Sequence, residues 1–175
     1  MFRRSCAVLG VVLAGQILGG FAASFAAELI YYSPRSNSGQ VYTYALDFFK
    51  NGVFCDVSAD PNSPSFSGIA FDSANNLYAA DYINNRIMKF NSAGTLVNGN
   101  FITGLNNPGY ISVAPNGDMY IINNGETGGN STDIAKWTAA SSTLNTSFMT
   151  GLDEPTAAFV GSNGDLIVAL AGRQI

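Results

Sequence analysis

Three settings of acidic side chains in this chain have residue types and spacing fit for chemistry. Glu126 and Asp133 lie in a Gly- and Asn-rich stretch that opens at Asn123, "NNGETGGNSTD". Carboxylates among amide oxygens there suit a hard cation or a polar ligand, and the plainer reading is a long solvated elbow. Glu154 stands directly before Pro155, where it is either a ligand residue or a simple turn carboxylate. Asp81 and Arg86 bracket "DYINNR", close enough to tie a short elbow, and Tyr82 beside Asp81 offers an aromatic face or a packed anchor. Against these candidates stands the absence of histidine. It removes Ser-His-Asp hydrolysis, Cys-His pairs and His-bound zinc from this segment. The sequence also carries no phosphate-binding G-x-x-x-x-G-K-[ST], no dinucleotide Gly motif between strand and helix, and no EF-hand loop.

The elements that must position these residues are β-strands. With 47% hydrophobic and only 11% charged residues, and 19 glycines, the chain lacks the Glu and Lys that coat a helical bundle. Its apolar content excludes wholesale disorder. The first residues read as an export signal: "MFRR" is positive, "CAVLGVVLAGQIL" apolar and "GGFAASFA" small, with cleavage expected after Ala26. An uncleaved anchor over Cys6 to Ala27 is the rival, disfavoured by Gln16 and the Gly19-Gly20 break. An exported protein is the expectation, with no membrane span after cleavage.

Without Arg3 and Arg4 the mature chain keeps six basic and twelve acidic residues, near −6, which opposes nucleic-acid binding. Cys6 leaves with the signal, so Cys55 has no disulfide partner and is expected to be a half-buried apolar side chain.

The chain repeats itself. "NNLYAAD" (Asn75 to Asp81) matches "GDMYIIN" (Gly117 to Asn123), "GIAFDSA" matches "YISVAPN", and "RIMKF" matches "DIAKW". A further copy runs from Pro155 to Leu170, and an incomplete one begins at Leu29, giving a period of 42 to 48 residues. Each unit carries about four short runs rich in Ile, Val, Tyr and Phe, here called a, b, c and d, separated by tight turns such as "SANN", "APNG" and "GSNG". Four antiparallel strands at this period are the signature of a β-propeller blade. The expected fold is all-β, a propeller of four-stranded blades, with units at about 28–66, 67–107, 108–153 and 154–175. About three and a half blades are present and the ring is incomplete. The chain therefore reads as the N-terminal part of a longer protein, in which a C-terminal strand returns to supply strand a of the first blade. Trp137, standing where Phe90 does, is expected to pack in the core.

The pattern "GIAFD" then "NLYAADxxNNRIMKFxxxG" resembles NHL-type propeller repeats, closely over Gly68 to Gly94 and fairly over Pro108 to Thr138. The resemblance implies that the Asp after strand b and the Arg opening strand c tie the elbow, here Asp81 and Arg86. The next unit departs with Asn123 and Asp133, and the one after has Leu170 where the Asp belongs. Similar propellers include histidine-dependent lyases, and lactonases that hold a divalent cation with Glu, Asp and Asn at the central channel; calcium is the cofactor this leaves open. Antiparallel strands put the varied b–c and d–a loops on one face, where binding is expected. The candidates on that face are Asp81, Tyr82, Asn84, Asn85, Asn123, Glu126, Asp133 and Glu154. The leading reading is a binding scaffold without chemistry of its own, its partner a protein, peptide or glycan. The alternative is a metal-assisted lactonase or lyase with further site residues beyond Ile175.

Overall fold

The structure, a computed structural model, describes residues 8–11, 29–33, 39–45, 50–123, 133–161 and 163–171. Among these residues every regular element is a β-strand. The first sheet contains β1 (Val8–Val11), β2 (Leu29–Ser33), β3 (Gln40–Ala45) and β4 (Lys50–Asp56). The second contains β5 (Phe66–Phe71), β6 (Leu77–Asp81), β7 (Arg86–Phe90) and β8 (Leu96–Thr103). The third contains β9 (Pro108–Val113), β10 (Met119–Asn123), β11 (Asp133–Thr138) and β12 (Thr143–Met149). A two-stranded sheet of β13 (Pro155–Val160) and β14 (Leu166–Leu170) follows. Strands are in chain order and antiparallel throughout, so each sheet is a meander and the chain has the blade architecture of a β-propeller.

The repeat is reproduced residue for residue. Strands β2, β6, β10 and β14 open at Leu29, Leu77, Met119 and Leu166, the positions that align in sequence. The a–b turns are one turn written three times. Asn75 N–H bonds Asp72 O at 3.0 Å, Gly117 N–H bonds Ala114 O at 2.8 Å, and Gly164 N–H bonds Gly161 O at 2.9 Å. Each of these donors is left-handed, with φ of 60°, 86° and 87°, which Asn and Gly tolerate at least cost.

Side-chain alternation explains how sheets stack. Strand β6 is buried at all five positions. Its period of two sends Leu77 and Ala79 into one seam, with Val41, Cys55, Phe66, Met88 and Phe90, against the first sheet. Tyr78 and Ala80 enter the opposite seam, with Ile87, Ile102, Ile111, Met119 and Ile121, against the third. Cys55 is thus fully buried, and burial pushes its thiol up to about 12. Trp137 packs at the second seam, its ring centroid 5.0 Å from that of Phe101.

The first strand of each sheet is the inner one, meeting the first strand of the next. Ser67 Oγ donates to Pro108 O at 2.6 Å, and a Cβ on Gly68 would stand 2.3 Å from Gly109 O, so only glycine allows this approach. At the first sheet the inner place, expected for a strand returning from the C-terminus, is held by β1, which pairs with β2 from Val8↔Ser33 to Val11↔Ile30.

Candidate functional site

The b–c and d–a loops share one end of the sheets, and their polar side chains bind one another first. Asp81, fully buried, accepts from Ser65 N–H at 3.1 Å, Asn84 N–H at 3.4 Å, Asn84 Nδ2 at 2.7 Å and Arg86 Nε at 2.9 Å. Arg86 also reaches Asp60 Oδ2 at 2.8 Å and Asn100 Oδ1 at 3.2 Å. Backbone and side-chain donors of Asn62, with Arg86, hold the Asp60 carboxyl below the usual range. Burial alone would lower the Arg86 pKa, yet its two carboxylate partners raise it. This is a structural clamp: the expected Asp81–Arg86 tie is present, and Asp60, in the d–a loop "DPNSPS", is a third member that the motif did not name.

The departure at Asn123 keeps half the role. Asn123 Oδ1 also accepts a d–a loop N–H, as Asp81 does, but from Asn106 at 2.7 Å, one place before the equivalent of Ser65; such a bond needs an oxygen and no charge. Asn85, left-handed at φ 57°, accepts Asn107 N–H at 2.7 Å, and Asn107 Nδ2 donates to Tyr82 O at 3.1 Å. Tyr82 N–H in turn bonds Ser65 O at 2.9 Å, so consecutive loops are stitched together. Asp133 pairs with Asn123 where β10 meets β11. Glu126 lies outside the described residues. Of the eight candidates, Asp81, Tyr82, Asn84, Asn85 and Asn123 thus join one network; Glu154 belongs to the loop before β13.

That network leaves one polar atom over. Asn107 is 9% exposed and its Oδ1 has no hydrogen-bond partner, the one such buried side-chain atom among the described residues. An unmade hydrogen bond to a buried amide costs about 1–3 kcal/mol. Asn107 occupies a repeated place. Phe66, Pro108 and Pro155 pair with the last residue of strand b in their sheets, so Ser65, Asn107 and Glu154 are equivalent. Asn107 and Glu154 share a left-handed φ, 46° and 51°. All three carry side-chain oxygens at the same end of the inner strands. Sequence reading singled out Glu154 and missed the other two, although the shared "N-P" and "E-P" steps mark Asn107 and Glu154 alike.

No protein-family model and no curated protein sequence matches the chain. Solved structures do. A gluconolactonase, XC5397 from Xanthomonas campestris, is similar with TM-score 0.63 and 16% identity over 84% of this chain and 52% of its own. Virginiamycin B lyase from Staphylococcus aureus is similar with TM-score 0.57 and 14% identity over 77% of this chain and 43% of its own. A chain of the nidogen/laminin complex gives TM-score 0.61 and 17% identity, over 80% and 51%. At these identities the likeness establishes a β-propeller fold and nothing finer. The chain spans about half the length of the structures it matches.

Proposed function

We propose that this chain is an exported β-propeller binding scaffold that takes a protein, peptide or glycan at the loop face, beside Asn107. Export rests on the charged, apolar and small-residue order of the first 26 residues. Cleavage after Ala26 would remove β1 and leave the inner edge of β2 for another strand. Binding rests on the buried, unpartnered Asn107 Oδ1, an acceptor already desolvated and held by two hydrogen bonds of its own backbone and side chain. A ligand N–H or O–H would restore the missing bond once a small movement of the loop uncovers this oxygen. Asn85 and Tyr82, which hold Asn107, are uncharged, matching hydroxyl- or amide-rich ligands.

Glycan and peptide arrays probed with wild type and Asn107→Gly test this. Glycine keeps the left-handed backbone and removes the acceptor. Ligands bound by wild type and lost by a folded Asn107→Gly variant are expected. Arrays without hits, or hits that survive the substitution, overturn the proposal.

A second reading, the metal-assisted lactonase or lyase, is favoured by the equivalent places of Ser65, Asn107 and Glu154. Oxygen donors of this kind suit calcium, which takes about 6–8 of them. The fit is partial, because one carboxylate and two neutral oxygens are supplied here. No cluster of three or more His, Cys, Asp or Glu occurs among the described residues. A bound ion would raise the unfolding temperature in millimolar calcium, reversibly with chelator and less in Glu154→Gln. No shift at that concentration sinks the metal reading while leaving the scaffold intact.

A further inference from the structure

The charges of the described residues are sorted along the strand direction. At the end that carries the b–c and d–a loops stand six carboxylates, Asp56, Asp60, Asp81, Asp133, Asp153 and Glu154, against one cation, Arg86. At the other end Asp72, Asp118 and Asp165 are matched in number by Lys50, Lys89 and Lys136. Arg86 is engaged by Asp81 at 2.9 Å and by Asp60 at 2.8 Å, so the negative surplus of the described residues belongs to the loop face. Ser58 N–H and Asn62 N–H hold the Asp56 and Asp60 carboxyls below the usual range, which keeps both charged at neutral pH. A surface of one sign draws in the opposite charge over a Debye length, about 8 Å at physiological salt.

Carboxylates alone pick out no ligand, and the second observation is Asn107. It is 9% exposed, and its Oδ1 has no partner. Asn107 directly precedes β9, which contacts the inner strands β5 and β13 on its two sides. Ser65 and Glu154 hold the equivalent places on those strands, so the neighbours of Asn107 on both sides are described residues. Its backbone N–H and Nδ2 are fixed to Asn85 and Tyr82, in the elbow that Asp81 and Arg86 close. Carboxylate oxygens and a lone amide oxygen are all acceptors. Ammonium and guanidinium groups carry donors only, whereas glycan hydroxyls both donate and accept.

We propose that the ligand of the loop face is a basic polypeptide segment, with Lys or Arg side chains set among these carboxylates and one N–H on Asn107 Oδ1. This rests on the scaffold reading and chooses, within it, a peptide over a glycan. The uncharged Asn85 and Tyr82 suit the peptide's main chain, and the carboxylates suit its side chains. Steering by charge acts on the arrival of such a segment, and the Asn107 bond on its departure.

The probe is a fluorescein-labelled Gly-Arg-Gly-Arg-Gly peptide, added to the full chain with chelator present and followed by anisotropy. Its partner probe carries citrulline in place of arginine, which keeps the shape and removes the charge. Saturable binding of the arginine peptide is expected, weakened about tenfold or more by citrulline or by raising salt from about 0.15 to 0.5 M. Asp153→Asn/Glu154→Gln and Asn107→Gly each weaken it several-fold, while Asp165→Asn, at the other end of the sheets, leaves it unchanged. The proposal is overturned by no saturable binding or by equal affinity for the citrulline peptide. It is equally overturned if Asp165→Asn costs as much as the Asp153→Asn/Glu154→Gln pair, the mark of unspecific attraction to an acidic protein. Neutral glycans bound by wild type and lost in Asn107→Gly would leave the scaffold standing and sink the basic partner alone.

Discussion

Removing the Asp81 carboxylate tests the loop clamp at its centre. In Asp81→Ala, Arg86 keeps Asp60 and Asn100 but loses its buried partner, while Ser65 N–H and both Asn84 donors lose their acceptor. Breaking a buried pair from one side costs about 3–5 kcal/mol, and the surviving Asp60 bond puts this case near about 3 kcal/mol. For a chain of this size that lowers the melting temperature by about 6–12 °C. Asp81→Asn keeps an oxygen for Ser65 N–H but turns an amide against Arg86 Nε, so it falls between. The double variant Asp81→Ala/Arg86→Met regains the part owed to the stranded Arg86 charge, while the Ser65 and Asn84 bonds stay lost. Urea unfolding followed by Trp137 fluorescence gives all four corners of the cycle. A loss below about 1 kcal/mol for Asp81→Ala, or a double variant no better than the single, refutes the clamp.

Two further outcomes follow from the packing. Gly68→Ala drives a Cβ to 2.3 Å from a backbone oxygen of the neighbouring inner strand and destabilises by about 1–3 kcal/mol. Gly99→Ala, whose Cβ meets nothing nearer than 3.8 Å, is the near-neutral control; equal melting temperatures for the pair would refute the close approach. With its thiol at about 12, Cys55 resists iodoacetamide at pH 8 in the folded chain and reacts on adding denaturant. Stoichiometric native labelling at Cys55 would contradict its burial.

The blades are legible in sequence because their information is local. Leu77 to Asp81 and Met119 to Asn123 carry β-branched, aromatic and small residues at period two, and "SANN" and "APNG" close the turns with residues that accept a left-handed backbone. The Asp81–Arg86 tie is equally local, five residues apart. Asp60 reaches Arg86 from 26 residues away, out of a loop with no periodicity, so no pattern announces it. The lone oxygen of Asn107 is less visible still: it is a property of burial and of every neighbour's hydrogen bonds, not of residue type. Sequence reading placed function among the exposed elbow residues, and the structure shows those elbows bonded to one another.

This separates punctuation from function among the many asparagines. Asn91, Asn98, Asn116, Asn145 and Asn163 each accept, through Oδ1, the N–H two residues on, the turn chemistry that asparagine supplies by itself. Asn75 supplies a left-handed turn, Asn85 and Asn123 accept from the neighbouring loop, and Asn84 ties Asp81 to Asn62 O. Each of these uses is met inside the fold and predicts nothing about a ligand. Asn107 is left-handed too, and its N–H and Nδ2 are likewise engaged. Its oxygen is the one buried polar side-chain atom left unmatched among the described residues. The other described buried polar side chains are satisfied, so the bare oxygen beside the inner strand ends is where the Asn107→Gly comparison tests the proposed binding.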